Sequence, residues 1–257
     1  VWERERNINV LRNEVHSVAV LTGAGVSAES GVPTFRGEGG LWRNYRAEDL
    51  ATPYAFRRDP ELVWEWYGWR RGLIGACQPN AAHHTLVEME SHFEDFALIT
   101  QNVDGLHRLA GSRNVVELHG NIWRMRCTRG CRSSWEDRAD ALDIPPHCPD
   151  CGALARPDVV WFGESLPARA MDEAFAAAGR CQVMLVVGTS AVVQPAASLP
   201  LVALQRGAYV VEVNPQPTPL SEVVDEVVRE PAAAALPRWW RDWLAEGNRQ
   251  AGSAKGG

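Results

Sequence analysis

Four cysteines offer the plainest chemistry in the chain. Cys127-x3-Cys131 and Cys148-x2-Cys151 are separated by sixteen residues. Two short pairs at that separation suit tetrahedral Zn²⁺ held by four thiolates, and Gly130, Pro149 and Gly152 supply the turns that would wrap the ion. Two disulfides are the alternative, disfavoured in a cytosolic chain. Four thiolates close the coordination sphere, so the expected metal is structural. Cys77 and Cys181 stand alone and read as buried apolar residues.

A second group is Gln101-Asn102-Val103-Asp104, with His119 a short way on in Glu117-Leu118-His119-Gly120. A neutral imidazole at a strand end can take a proton from a hydroxyl, so His119 is the expected general base. Asn102 and Asp104 place donors and an acceptor at alternate positions, suited to an amide and a ribose. A plain Asx turn after a strand is the competing role. His107 reads as a packing residue, and His16, His83, His84, His92 and His147 have no supporting context.

The third group is Gly23-Ala24-Gly25, which follows the continuous apolar run Val18–Leu21. Strand, glycine turn and helix start form a pyrophosphate cradle, and Ser27 is the expected helix cap. The spacing Gly-x-Gly-x-x-Ala, ending at Ala28, is one residue type away from the dinucleotide fingerprint. A loop bearing Phe35 and Arg36 follows, punctuated by Gly31, Pro33 and Gly37, and reads as a cover over a bound cofactor. A dehydrogenase would carry an acid about 20 residues after the glycines. The segment there, Leu41-Trp42-Arg43-Asn44, has no strand pattern, so a dinucleotide would be held in another manner.

The elements that must position these groups alternate. Strands are expected at Val18–Leu21, Phe96–Thr100, Val115–Gly120, Val159–Glu164, Gln182–Ser190 and Ala208–Pro215. Helices are expected over 1–16, over 39–79 with breaks at Pro53, Pro60 and Gly72, and at Asn80–His92 with Asn80 as cap. Three more are expected at Met171–Gly179, Leu199–Arg206 and Pro237–Glu246, before a disordered tail over 248–257. Alternating strands and helices mean an α/β fold with a doubly wound parallel sheet, whose ligands bind beyond the carboxyl ends of the strands.

The chain has 257 residues, 46% of them apolar, enough for a full core. No apolar run reaches the roughly 20 residues of a membrane span, and the charged Val1–Arg6 stretch lacks a signal-peptide core. A cytoplasmic protein is expected. The net charge of −6 argues against sequence-independent binding of nucleic acid.

Together the glycine stretch, Thr100–His107, His119, the four cysteines, Phe162-Gly163-Glu164, Gly188-Thr189-Ser190 and Val213-Asn214 resemble the sirtuins, the NAD-dependent protein lysine deacylases. The resemblance runs from about residue 14 to about residue 240. It implies a Rossmann-like NAD domain over 1–38, 80–122 and 157–245. It also implies a smaller domain, made of a helical insert over 39–79 and a zinc ribbon over 123–156. By this resemblance Gly23, Ala24, Gly25, Ala28, Glu29, Thr34, Phe35, Arg36 and Trp42 hold NAD. Gln101, Asn102, Val103 and Asp104 shape the nicotinamide and ribose pocket. Gly188, Thr189, Ser190 and Asn214 take the adenosine half, with Ala232 beside the adenine. His119 and Asn102 are the implied catalytic residues, and Val160, Trp161, Phe162 and Gly163 the strip that captures an acyl-lysine peptide as an added strand.

The implied reaction consumes NAD as a co-substrate. Nicotinamide leaves, the amide oxygen attacks the ribose carbon, and His119 activates a ribose hydroxyl. That hydroxyl attacks the resulting imidate, and water completes the transfer, giving nicotinamide, O-acyl-ADP-ribose and free lysine. Tyr67 and Arg70 lie three apart on one helix face, and a guanidinium fork beside a phenol suits a carboxylate. This Tyr-x-x-Arg is similar to the motif of the class III sirtuins that remove succinyl, malonyl and glutaryl groups, found in bacterial members that also remove acetyl. An aromatic helix packed on the core, with Arg70 solvated, is the plainer alternative. The expected partners are acylated proteins or peptides met by a monomer, with no membrane. Mono-ADP-ribosyl transfer to protein and a non-catalytic zinc-ribbon binding module are the rival functions. His119, the Gln-Asn-x-Asp cluster and Arg36 oppose the binding module.

Overall fold

The computed structural model describes residues 14–33, 45–138 and 143–253. The chain begins with strand β1 (Ser17–Thr22) and a single helical turn, α1 (Gly25–Ala28). Three helices follow: α2 (Ala47–Leu50), α3 (Pro53–Arg58) and α4 (Pro60–Gly75). Pro53 and Pro60 are first-turn residues behind side-chain caps, Thr52 accepting from the Ala55 N–H and Asp59 from that of Leu62. Gly72 breaks nothing; it lies on the exposed face inside α4. Helix α5 (Ala81–His92) has Asn80 as its cap, accepting from the Ala82 N–H.

Next come β2 (Asp95–Thr100), the short helix α6 (Leu106–Ala110) and β3 (Val115–Glu117). The expected strand Val115–Gly120 is two elements: β3 stops at Glu117, Leu118 and His119 turn, and β4 (Gly120–Cys127) begins. The turn requires glycine at 120, where φ is +78° and a Cβ would lie 2.1 Å from the Asp158 carbonyl oxygen. Strands β5 (Trp135–Glu136) and β6 (Ala155–Val159) flank β4 in an antiparallel three-stranded sheet. The apolar segment expected over Val159–Glu164 is a strand only up to Val159.

Helix α7 (Ala168–Arg180), β7 (Val183–Val187), α8 (Leu199–Arg206), β8 (Tyr209–Val213), β9 (Glu226–Val228) and α9 (Ala232–Ser253) complete the chain. The last helix departs most from expectation. It starts five residues before Pro237 and continues through much of the expected disordered tail, to Ser253. Its first turn is capped from a distance: the Ala233 N–H donates to the Glu29 carboxylate at 2.7 Å. Residues 1–13, which include most of the expected first helix, lie outside the described residues.

The six-stranded sheet has the order β3-β2-β1-β7-β8-β9, and its pairings are parallel. The chain winds outward from β1 to β3, returns beside β1 at β7, then winds the other way. This is the Rossmann-like doubly wound topology, with its switch point between β1 and β7. Both faces are buried, which explains the unbroken apolar runs. On β1, Val18 and Val20 join α5 and α9 in one core, while Ala19 and Leu21 join α7 and α8 in the other. A third core forms a smaller module, in which Trp64, Trp66 and Tyr67 of α4 pack with Ile122, Met125 and Ala155 of the antiparallel sheet. The helical insert and the four-cysteine ribbon thus bury their apolar faces against each other. Among the described residues no helix is long and apolar enough to cross a membrane.

Candidate active site

The carboxyl ends of four strands meet in register: Thr22 opposite Thr100 and Val187, and Val187 opposite Val213. The glycine turn lies directly on the loop after β7. Gly23 donates to the Val187 carbonyl at 3.0 Å and Gly25 to that of Gly188 at 2.8 Å. A Cβ on Gly25 would sit 2.7 Å from Gly188 Cα, and one on Gly188, at φ +61°, 2.5 Å from the Val26 nitrogen. These glycines are required by loop-on-loop contact, a different reason from the close ligand approach that their spacing suggests.

Ser27 does not cap α1. It is buried inside that turn, and its hydroxyl donates to Asp104 Oδ2 at 2.8 Å. The other Asp104 oxygen accepts from the Leu106 N–H at 2.8 Å, so the Asx turn is present too. Asn102 donates through Nδ2 to the Gly23 carbonyl and to Ser27 Oγ. Burial raises the Asp104 pKa against the lowering effect of these bonds.

Two histidines stand behind this cluster. His83 Nδ1 accepts from the Asn80 N–H, which leaves Nε2–H directed at Ser27 Oγ, 3.4 Å away. His107 Nε2 is 2.9 Å from Thr22 Oγ1, which donates to Thr100 Oγ1, which in turn accepts the Asn102 N–H. Burial pushes His83 down to about 4 and His107 to about 3, so both rings are neutral struts at pH 7. His107 packs as expected. His83, Thr22 and Thr100 were not singled out as site residues by sequence, and Ser27 was read only as a helix cap. The available signal was a histidine on the apolar stripe of α5, between Ala82 and Leu86.

His119 is half-buried in the turn after β3, its Nδ1 within 2.8 Å of the Gln101 carbonyl. Gln101 Nε2 donates to Thr189 Oγ1, and Asn214 Nδ2 to the Thr189 carbonyl. The structure therefore brings together Gly23, Ala24, Gly25, Gln101, Asn102, Val103, Asp104, His119, Gly188, Thr189, Ser190 and Asn214 at one rim. Ala28 lies at the end of α1. Glu29 is exposed, and one of its carboxylate oxygens caps α9; Ala232 is buried in the first core. Thr34, Phe35, Arg36 and Trp42 lie outside the described residues.

At the other side of the rim, Tyr67 and Arg70 are both buried, 2% and 9% exposed, which removes the reading of Arg70 as solvated. Tyr67 Oη accepts from Trp161 Nε1 at 2.9 Å. Burial pushes the phenol up to about 12 and lowers the Arg70 pKa, which the nearby Tyr67 and Asp104 oppose. In the expected peptide strip, the N–H groups of Val160, Trp161 and Phe162 already donate to the His119 carbonyl, the Glu164 carboxylate and the Ala51 carbonyl. Gly163 turns at φ +84°, and Phe162 is exposed.

The sulfurs of Cys127, Cys131, Cys148 and Cys151 lie within 4.8 Å of one another, with close pairs at 3.1 to 3.5 Å. Zn–S bonds of about 2.3 Å in a tetrahedron give S···S edges of about 3.8 Å, against about 2.05 Å in a disulfide. The donor set fits a structural Zn²⁺. Gly130 at φ +74° and Gly152 at φ +69° form the two turns.

A Rossmann-like sheet, a rim of polar side chains at its switch point and a four-thiolate ribbon are joined in one chain. The Sir2 family model matches residues 23–195. An NAD-dependent protein deacylase of Aquifex aeolicus is 53% identical over 230 residues, 90% of this chain and 96% of the relative. One from Caldanaerobacter subterraneus is 58% identical over 203 residues, 79% and 84% of the two chains. A Sir2 homologue solved as an NAD complex superposes with a TM-score of 0.87 at 47% identity, over 95% of this chain and 96% of that one. A Sir2 structure bound to acetylated peptide gives 0.78 at 32% identity, over 91% and 95%. The chain belongs to the Sir2 family.

Proposed function

We propose that this chain is an NAD-dependent protein-lysine deacylase whose acyl pocket accepts succinyl, malonyl and glutaryl groups as well as acetyl. The deacylase activity rests on family membership and on relatives that carry that name. The observation that carries the acyl assignment is the joint burial of Arg70 and Tyr67 on one face of α4. A buried guanidinium fork beside a neutral phenol favours a planar anionic guest.

NAD, when bound, would supply an electrophilic ribose carbon with nicotinamide as leaving group and ribose hydroxyls to receive the acyl group, with water consumed as lysine is freed. His119 is the base: with hydrogen on Nδ1, its Nε2 lone pair accepts the hydroxyl proton. Asn102 and Asp104, held by Ser27 and Leu106, present amide and carboxylate groups at the nicotinamide and ribose end. Gln101, Thr189 and Asn214 form a bonded row toward the adenosine end. The family's peptide mode would use strip 160–163 chiefly through its carbonyls, since three of its N–H groups are engaged. The same reading takes the enzyme as a cytoplasmic monomer, its net charge of −6 opposing a grip on phosphate backbones.

The test is turnover of matched acetyl-lysine and succinyl-lysine peptides with NAD, followed by mass spectrometry. Release of nicotinamide, O-acyl-ADP-ribose and free lysine from both peptides is expected. ADP-ribose attached to the peptide would instead mark an ADP-ribosyltransferase.

A further inference from the structure

We infer that the indole of Trp161 fixes the phenol of Tyr67 as a hydrogen-bond donor, making Trp161 a positioning residue for acyl-group selectivity. The inference rests on the carboxylate reading of the Tyr67 and Arg70 pocket.

An indole N–H can only donate. At 2.9 Å from Trp161 Nε1, Tyr67 Oη must therefore accept. A phenolic hydrogen lies near the ring plane on one of two sides of the oxygen. With the indole N–H on one side, the Tyr67 proton turns to the other. The phenol remains neutral, its pKa near 12, so that proton is retained at physiological pH. A carboxylate is an acceptor only. The polarity that Trp161 imposes on Tyr67 is thus the polarity a carboxylate-ended acyl group needs, with Arg70 one helical turn further along α4.

Trp161 is itself held firmly. The Arg156 guanidinium carbon is 3.4 Å from its ring centroid, and the Phe56 ring is 5.1 Å away. Arg156 makes paired bonds of 2.6 and 2.8 Å to Glu164, and Glu164 Oε2 also accepts the Trp161 N–H at 2.9 Å. The indole cannot turn away from Tyr67 without leaving this clamp. Tyr67 is seated against Trp66, with ring centroids 4.7 Å apart. The chain Glu164–Arg156–Trp161–Tyr67 runs from the end of the peptide strip to the acyl end of the site. An acetyl group offers no acceptor at its methyl end, so the device matters only for the longer acidic groups.

The experiment is a double-mutant cycle on the ratio of kcat/KM for succinyl-lysine over acetyl-lysine peptide. Tyr67→Phe and Trp161→Phe should each lower the ratio by about tenfold, the scale of one hydrogen bond to a charged group. The double variant should match Tyr67→Phe alone. 3-Benzothienylalanine at position 161, which keeps the bicyclic shape and lacks the N–H, should repeat the result if Trp161→Phe folds poorly. If the position-161 change lowers the ratio equally with and without the Tyr67 hydroxyl, or leaves it unchanged while Tyr67→Phe lowers it, the inference is overturned and the carboxylate pocket stands. If Tyr67→Phe leaves the ratio untouched, both fall together.

Discussion

His119 Nδ1 lies 2.8 Å from the carbonyl oxygen of Gln101. A carbonyl only accepts, so the contact fixes the hydrogen on Nδ1 and leaves the Nε2 lone pair exposed to a substrate proton. The same residue carries its Nε2 to Thr189 Oγ1, so His119 and the Thr189–Asn214 row are tied through Gln101.

This arrangement predicts the pH dependence of turnover. Burial lowers the His119 pKa, and the Gln101 carbonyl only partly restores it. The ring is thus neutral and active through the range of about pH 7 to 8, and activity declines only below the ordinary imidazole value of about 6.5. A pH profile of kcat checks this; an acid limb centred above pH 7 would contradict it. Removing the base with His119→Ala should lower kcat by about 10²- to 10⁴-fold.

Asp104 makes a prediction of opposite sign. Burial raises its pKa, so the folded state holds this proton more tightly than the unfolded chain. The group therefore costs stability as pH rises from its unfolded value through its folded one. Asp104→Asn removes that cost. Relative to wild type, its melting temperature should gain more at pH 8 than at pH 4, close to the unfolded carboxyl's own value, while activity falls. Melts at both pH values decide it, and an advantage confined to acid pH would rule the account out.

Two glycines of different standing can be compared in thermal melts. Gly25→Ala meets the Gly188 backbone at 2.7 Å, with no flexible side chain to yield. It should destabilise the fold by about 1–3 kcal/mol and raise the KM for NAD. Gly72, exposed inside α4 with nothing within 4 Å of a Cβ, should gain about 0.5–1 kcal/mol on change to Ala. Equal melts for the two variants would dismiss the contact.

The ribbon should hold one zinc per chain by metal analysis. Stripping it with a strong chelator, or replacing the buried Cys148 with Ser, should lower the melting temperature and activity together, because the third core leans on β4 and β6. A metal-free protein with unchanged melting would show that the thiolate cluster is not structural.

Much of this was legible in the chain because the signals were local. The apolar run at Val18–Leu21, the Asn80 cap and the cysteine spacing each fix one element by short-range chemistry. What escaped depends on distant partners. Ser27 has the composition of a cap, yet Asp104, remote in sequence, draws its hydroxyl inward. His83 gains meaning only when α5 packs behind the glycine turn. Glu29, expected as a cofactor contact, also caps α9, a pairing across 204 residues that no local pattern announces. Pro237 imitates a helix start, while the true start at Ala232 is set by that remote carboxylate and by burial in the first core. Gly72 looked like a break because propensity alone disfavours it, and packing of the tryptophan face carries α4 through.

The most direct measurement is the effect of Arg70→Met on the two matched peptides with NAD. A buried guanidinium that reads the acyl carboxylate predicts that kcat/KM for the succinyl peptide falls by at least about tenfold more than for the acetyl peptide, chiefly through KM. Equal losses on both peptides, or a wild-type enzyme that turns over acetyl-lysine but leaves succinyl-lysine untouched, would contradict the account.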